Sequence, residues 1–244
     1  ERGQRTIEHL DNIAVSCSSN EAELQARPVM SFIDAIRRER DAFVTFDAAK
    51  CRRLAETFRE NNTWMVPTLA VMLGSSSEVD HAANAIQWGQ YLDADTLRWI
   101  IPTEETPSED LKILQQAFEN AIEVTAFLHY EGVSFLAGTD VMNPNTYPGF
   151  SIHDELELLV RAGFSTIDAI RAATINPAIF LGQENEFGSI ESGKVADLVL
   201  LDADPLSDIG NTTEIFAVFV RGNYFDRARL DELLRSLRNS AQDN

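Results

Sequence analysis

The sequence is short of cysteine, histidine and basic side chains, and each shortage narrows what the chain can be. Its 244 residues hold two cysteines, Cys17 and Cys51. They form no C-x-x-C pair and suggest no disulfide framework, so two buried, unpaired thiols are expected. Lys and Arg number 20 against 39 Asp and Glu, for a formal net charge of -19. A field of that sign repels phosphates, which argues against nucleic acid as a partner and against docking on an anionic membrane. Solubility is the simplest reading of the charge; an acidic external milieu and cationic substrates are weaker ones. No apolar run approaches the roughly 20 residues of a membrane span, and no signal peptide opens the chain. Methionine is missing from position 1, where Glu1 stands. The natural start is therefore expected to lie upstream, and the compartment is left open.

What is present is enough for a sizeable core. The hydrophobic share is 44%, ordinary for a globular protein of this length. Arg5 to Leu10 reads as a short strand with a polar tip. Asn20 to Glu39 and Ala48 to Asn61 carry apolar residues at helical spacing, with Phe43 to Phe46 between them as a short strand or turn. Thr63 to Leu69 is β-rich, with Pro67 near its end, where proline is tolerated. Ser75 to Pro107 reads as an insertion of short helices. Asp110 to Tyr130 is a long helix that Ser108 or Asp110 can cap, with Gly132 just past its end. Val133 to Ala137 is a buried strand. Helices come next over Ser151 to Arg161, from Ser165 through Ala173, and from Asn176 to Gly182. Ala196 to Asp202 and Ile215 to Val220 are then strands, and a helix over Arg227 to Arg238 closes the chain. Gly188, Gly193 and Gly222 suit tight turns. Alternation of strands and helices implies parallel strands with helical crossovers. Three such units are too few to close an eight-stranded barrel.

His9 and Asp140 each stand at the C-terminal tip of a predicted strand, the end where catalytic groups gather in parallel α/β barrels. Imidazole nitrogen and carboxylate oxygen are both zinc ligands. Taken alone, a histidine at a strand end is more often structural, and an aspartate after Gly-Thr often only caps a turn. His153, opening a helix after the Asp140 loop, is a candidate substrate contact; bonding to loop backbone is the plainer role. His81 reads as exposed and His129 as a packing residue. Lys194 reads as a turn residue. Trp88, Tyr91 and Trp99 suit a helix packing face better than a pocket wall.

The motifs change that weighting. Phe135 to Asp140 (FLAGTD), His153 to Gly163 (HDELELLVRAG), Ala169 to Gly182 (AIRAATINPAIFLG), Gly188-Ser189-Ile190, Gly193 to Leu198 (GKVADL) and Asp204-Pro205-Leu206 succeed one another in order. With TIEHL near the start and VPTL at Val66 to Leu69, the succession resembles the amidohydrolase superfamily, in its prolidase-like and imidazolonepropionase-related branch. The resemblance implies an α/β fold, the C-terminal part of a TIM-type (β/α)8 barrel comprising about its last three strand units, plus a small C-terminal β piece of the family's β-sandwich. The divisions would be 1–182 for the partial barrel, 183–226 for the β piece and 227–244 for the closing helix and tail.

The resemblance further implies metal-dependent hydrolysis of a peptide-like C–N bond through a metal-bound hydroxide. Zinc, as one or two ions, is the expected cofactor. His9 would be the metal ligand of the sixth strand. Asp140, after the eighth, would be both metal ligand and proton shuttle. A small molecule or dipeptide, such as Xaa-Pro, would be the substrate. The family's His-x-His pair, carboxylated lysine and fifth-strand histidine have no counterpart in this sequence. The chain is therefore expected to be a fragment that binds zinc poorly alone and needs the missing N-terminal portion. The other reading is a catalytically inactive truncated domain serving in binding or assembly. Uncovered strand edges on a partial barrel lead to an expectation of self-association.

Overall fold

The computed structural model describes residues 3–76, 80–101 and 106–242. The chain runs β1 (Thr6–Glu8), α1 (Ile13–Cys17), α2 (Glu21–Ala26), α3 (Phe32–Val44), α4 (Ala48–Glu60), β2 (Trp64–Val66), α5 (Leu69–Ser75), α6 (His81–Gln87), α7 (Ala94–Ile100), α8 (Ser108–Tyr130) and β3 (Ser134–Phe135). It continues through α9 (Ser151–Arg161), α10 (Thr166–Ala173), α11 (Ile175–Leu181), β4 (Leu198–Leu201), β5 (Ile215–Val220), β6 (Asn223–Phe225) and α12 (Arg227–Gln242).

The first three strands form a parallel sheet in the order β1-β2-β3. Ile7 pairs with Met65, and Met65 with Phe135. Parallel strands must be joined by crossovers and are covered by helices, and the apolar stripes of α1, α4, α8 and α9 supply that cover. Val15, Met65, Leu69, Phe118, Leu128 and Leu159 are all buried in one core. The last three strands form a separate antiparallel sheet, β4-β5-β6. The chain is therefore α/β. Among the described residues no helix is long and apolar enough to cross a membrane.

Local chemistry explains where several expected boundaries moved. The helix expected over Asn20 to Glu39 is broken in two. Arg27 is extended, at φ -67° and ψ 130°, because Pro28 disfavours helical backbone at the residue before it. Ser31 then caps α3 by accepting from the Asp34 amide. Helix α3 runs on through Phe43 and Val44, so the strand considered there is helix, and only Phe46 makes a bridge, to Ser18. Neither Ser108 nor Asp110 caps α8; Pro107 holds the cap position without a side-chain bond. Instead Glu109 and Asp110 lie in its first turn, where they offset the helix dipole. Strand β3 is two residues long. The Ala137 amide turns away from the sheet to bond Ala172 O at 2.9 Å. The strand expected over Ala196 to Asp202 is realised as Leu198–Leu201, and Gly222 (φ 78°) makes the turn into β6, a strand not anticipated.

The cysteines correct the expectation of unpaired thiols: Cys17 and Cys51 form a disulfide across α1 and α4. Both are fully buried, with Cα atoms 4.4 Å apart. A pairing over 34 residues is produced by the packing of two helices and leaves no mark in the local spacing. Closing a loop of that length contributes about 3–4 kcal/mol on the chain-entropy account. Cys17→Ser is expected to destabilise the protein by roughly 2–4 kcal/mol in guanidinium unfolding, with no such loss when wild type and variant are compared in reductant. Coincident curves under oxidising conditions would show that the bond constrains nothing.

Candidate active site

Each strand of the parallel sheet delivers one residue with left-handed backbone to the same end. His9 follows β1 at φ 64°, Thr68 follows β2 at φ 49°, and Asp140 lies beyond β3 at φ 45°. Such backbone costs of order 1–3 kcal/mol at a non-glycine residue, and the β-branched Thr68 is the least suited to it. Strain of this kind persists where the surroundings over-determine it. Here the His9 amide donates to Val66 O at 2.9 Å, which prolongs the β1–β2 ladder by one residue.

The side chains then interlock. The Thr68 hydroxyl donates to Pro67 O at 2.8 Å. Its oxygen stands 2.7 Å from His9 Nδ1. A hydroxyl has one proton, so a Thr68 that donates to Pro67 must accept from His9 Nδ1–H. In the neutral ring that assigns the tautomer and leaves a lone pair on Nε2. The Nε2 atom lies 3.5 Å from Asp140 Oδ2, too far for a good hydrogen bond. Two ligands each about 2.1 Å from a tetrahedral zinc ion stand roughly 3.4 Å apart. The spacing and the free lone pair therefore fit a shared cation. Asn143 steadies the carboxylate, its Nδ2 donating to both Asp140 O and Asp140 Oδ2 at 2.8 Å.

His9 and Asp140 line a cavity of about 220 Å³, with side chains 41% and 44% exposed at its mouth. Apolar walls come from Ala14, Ile36, Met72 and Ala121, and polar groups from Asp11, Glu39, Asn120 and Asn143. Burial pushes the Glu39 carboxyl up to about 7, against the pull of the Asn12 amide. Deeper in, Glu155 is fully buried, and burial pushes it up to about 8, opposed by the amides of Ala70, Leu69 and Thr68. Among the described residues no three His, Cys, Asp or Glu side chains converge as a metal site.

The remaining candidates fall elsewhere. His153 lies on α9, its Nδ1 2.9 Å from Thr212 Oγ1, and does not line the cavity; burial lowers its pKa. His129 stacks on Phe164 at 3.6 Å. The His81 side chain lies outside the described residues. Trp88 stacks on Phe150 at 4.1 Å, Tyr91 also faces Phe150, and Trp99 is exposed. Lys194 ties the turn by bonding Glu184 O and Ser189. Sequence reasoning alone does not single out Thr68, Asn143 or Glu155. The available signals are Thr68 in VPTL just past a strand, Asn143 three residues after Asp140, and Glu155 interrupting the apolar face of HDELELL.

The Amidohydrolase family model matches residues 47–224. The chain belongs to the amidohydrolase family. It is 38% identical over 71 residues to an imidazolonepropionase of Symbiobacterium thermophilum, a match covering 29% of this chain and 16% of that protein. A probable human imidazolonepropionase is 40% identical over 74 residues, 30% of this chain and 17% of that protein. A putative prolidase from Bifidobacterium longum is 25% identical, with TM-score 0.53, over 94% of this chain and 55% of that one. A bottromycin amidohydrolase shares the fold, with TM-score 0.65 at 22% identity, over 97% of this chain and 48% of that one. These relatives support the prolidase- and imidazolonepropionase-like branch. The chain spans about half the length of these solved relatives, and its matches to the curated ones cover under a fifth of theirs.

The two buried carboxyls have a signed consequence. Both sit above their ordinary value of 4.5, so the folded state holds their protons more tightly than the unfolded chain. Their stabilising contribution is complete below about pH 4.5 and is lost as pH rises through 7 and 8. Urea midpoints are expected to fall between pH 5 and 8.5, and Glu155→Gln is expected to flatten that fall. Parallel wild-type and variant profiles would sink the assignment.

Proposed function

We propose that this chain supplies two metal ligands, His9 and Asp140, to the active site of an amidohydrolase that cleaves a peptide-like C–N bond. The supporting observation is the convergence of His9 Nε2 and Asp140 Oδ2 at 3.5 Å, with Nδ1 already committed to Thr68. On this reading the three parallel strands are the last three of a (β/α)8 barrel, with residues 1–182 as its part, 183–226 as part of a β-sandwich and 227–244 as helix and tail. Zinc bound there would polarise a carbonyl and acidify water. Asp140 takes the proton from the attacking water and passes it to the leaving nitrogen as the C–N bond breaks and the C–O bond forms. Asn143 holds that carboxylate, and Thr68 holds the His9 ring. A small molecule or dipeptide of the Xaa-Pro type is the substrate class, in keeping with the branch.

Two protein ligands make a weak site, because catalytic zinc takes three. A third ligand has to come from outside the described residues. The competing reading, an inactive domain serving in binding or assembly, draws on this same shortage. Zinc titration by calorimetry separates the two. The proposal expects weak 1:1 binding that His9→Ala and Asp140→Ala each abolish. Binding that survives both substitutions, or none in the wild type, rejects the ligand assignment.

Self-association belongs to the same proposal. Among the described strands β1 and β3 are edges, and unpaired edges invite pairing. Val199, Phe216, Val220 and Tyr224 are exposed on the antiparallel sheet. Light scattering is expected to give a mass above 27.2 kDa; a monodisperse monomer at micromolar concentration would count against it.

A further inference from the structure

Thr68 occupies the N-cap position of α5 but does not cap it. Threonine at an N-cap ordinarily has extended backbone and accepts from an amide of the first turn. Here φ is 49° and ψ 47°, and the side chain makes no capping bond. Its hydroxyl is spent on Pro67 O and His9 Nδ1. The cap comes instead from 85 residues further along the chain: Glu155 Oε2 accepts from the Ala70 amide at 2.8 Å. The amides of Leu69 and Thr68 also act on this carboxyl.

Glu155 is out of place by any other account. It is fully buried on α9, between buried Ser151 and buried Leu159. A carboxyl there costs free energy unless it is bonded, and its Oε1 has no hydrogen-bond partner among the described residues. A leucine would serve the core better. What leucine cannot do is satisfy the first amides of α5 while the Thr68 hydroxyl points elsewhere.

We propose that Glu155 is a positioning residue for His9: by capping α5 in place of the Thr68 hydroxyl, it holds Thr68 in left-handed backbone and leaves that hydroxyl to fix the His9 ring. The relay runs from α9 through the β2–α5 corner to the tip of β1. Its bearing on catalysis rests on His9 being a metal ligand; the relay itself does not.

The test uses the full chain labelled with ¹⁵N-histidine, with His9→Gln assigning the His9 signals. Long-range ¹H–¹⁵N spectra of the metal-free protein report which ring nitrogen carries the proton. Glu155→Gln keeps an oxygen acceptor and is expected to retain the Nδ1–H form. Glu155→Leu removes the acceptor and Glu155→Asp withdraws it; both are expected to give a mixture of tautomers. Both are also expected to weaken zinc binding, read by indicator competition, by about tenfold or more. Glu155→Asp keeps a carboxyl at the site and decides the matter if the leucine variant fails to fold. Unchanged His9 signals in a folded Leu or Asp variant overturn the proposal. If the wild type binds no zinc, the ligand reading of His9 falls while the ring spectra still decide the relay.

Discussion

Parallel pairing of three very short strands governs where the polar groups of this protein stand. The ladder carries two register pairs between β2 and β3 and three between β1 and β2. Because the strands run the same way, their C-terminal ends lie side by side, and the residues just past one end meet those just past the others. Thr68 lies 59 residues after His9, and Asp140 lies further on still, yet His9 faces both of them. Antiparallel pairing would send alternate tips to opposite ends. Covering helices support the pairing by burying one face of the sheet, where Met65 and Phe135 join the core and Ile7 packs against it.

The corner after each strand is where the fold accepts strain. Three non-glycine residues in left-handed backbone within one site are each unfavourable, and each is held by bonds from outside its own segment or from the loop beyond it. Val66 O takes the His9 amide, Glu155 takes the amide two residues past Thr68, and Asn143 binds both the main chain and side chain of Asp140. This is the pattern expected where geometry serves chemistry rather than stability. Stability is drawn from elsewhere: the core beneath the sheet, and the Cys17–Cys51 bond that ties α1, just past the His9 corner, to α4.

Electrostatics and burial pull in opposite directions here. The excess of acidic residues keeps the surface highly negative, while the cavity and core hold carboxyls at Glu39 and Glu155 that burial keeps from ionising readily. A cation entering beside His9 and Asp140 would meet donors already oriented, with little reorganisation to perform. Among the described residues no three His, Cys, Asp or Glu side chains converge as a metal site, although Thr68 and Asn143 already orient the His9 and Asp140 side chains.

Much of this was legible in the sequence. The alternation of strands and helices, the motif order from FLAGTD to DPL, and the placing of His9 and Asp140 at strand tips all depend on local chemistry, which the sequence states directly. Pro28 was a local signal that the helix expected over Asn20 to Glu39 passed over; its effect on the residue before it accounts for the break between α2 and α3. Other features depend on which distant segments touch. The disulfide needed α1 laid against α4. The His9 tautomer needed Thr68 turned into left-handed backbone. Glu155, read along the chain, is one more polar residue in an amphipathic helix; its meaning came from the first turn of a helix 85 residues away. Sequence alone determined the family and singled out His9 and Asp140 as the candidate metal ligands. The tertiary structure decided how they face each other, because orientation is set by packing and hydrogen bonds between segments whose proximity no local pattern encodes.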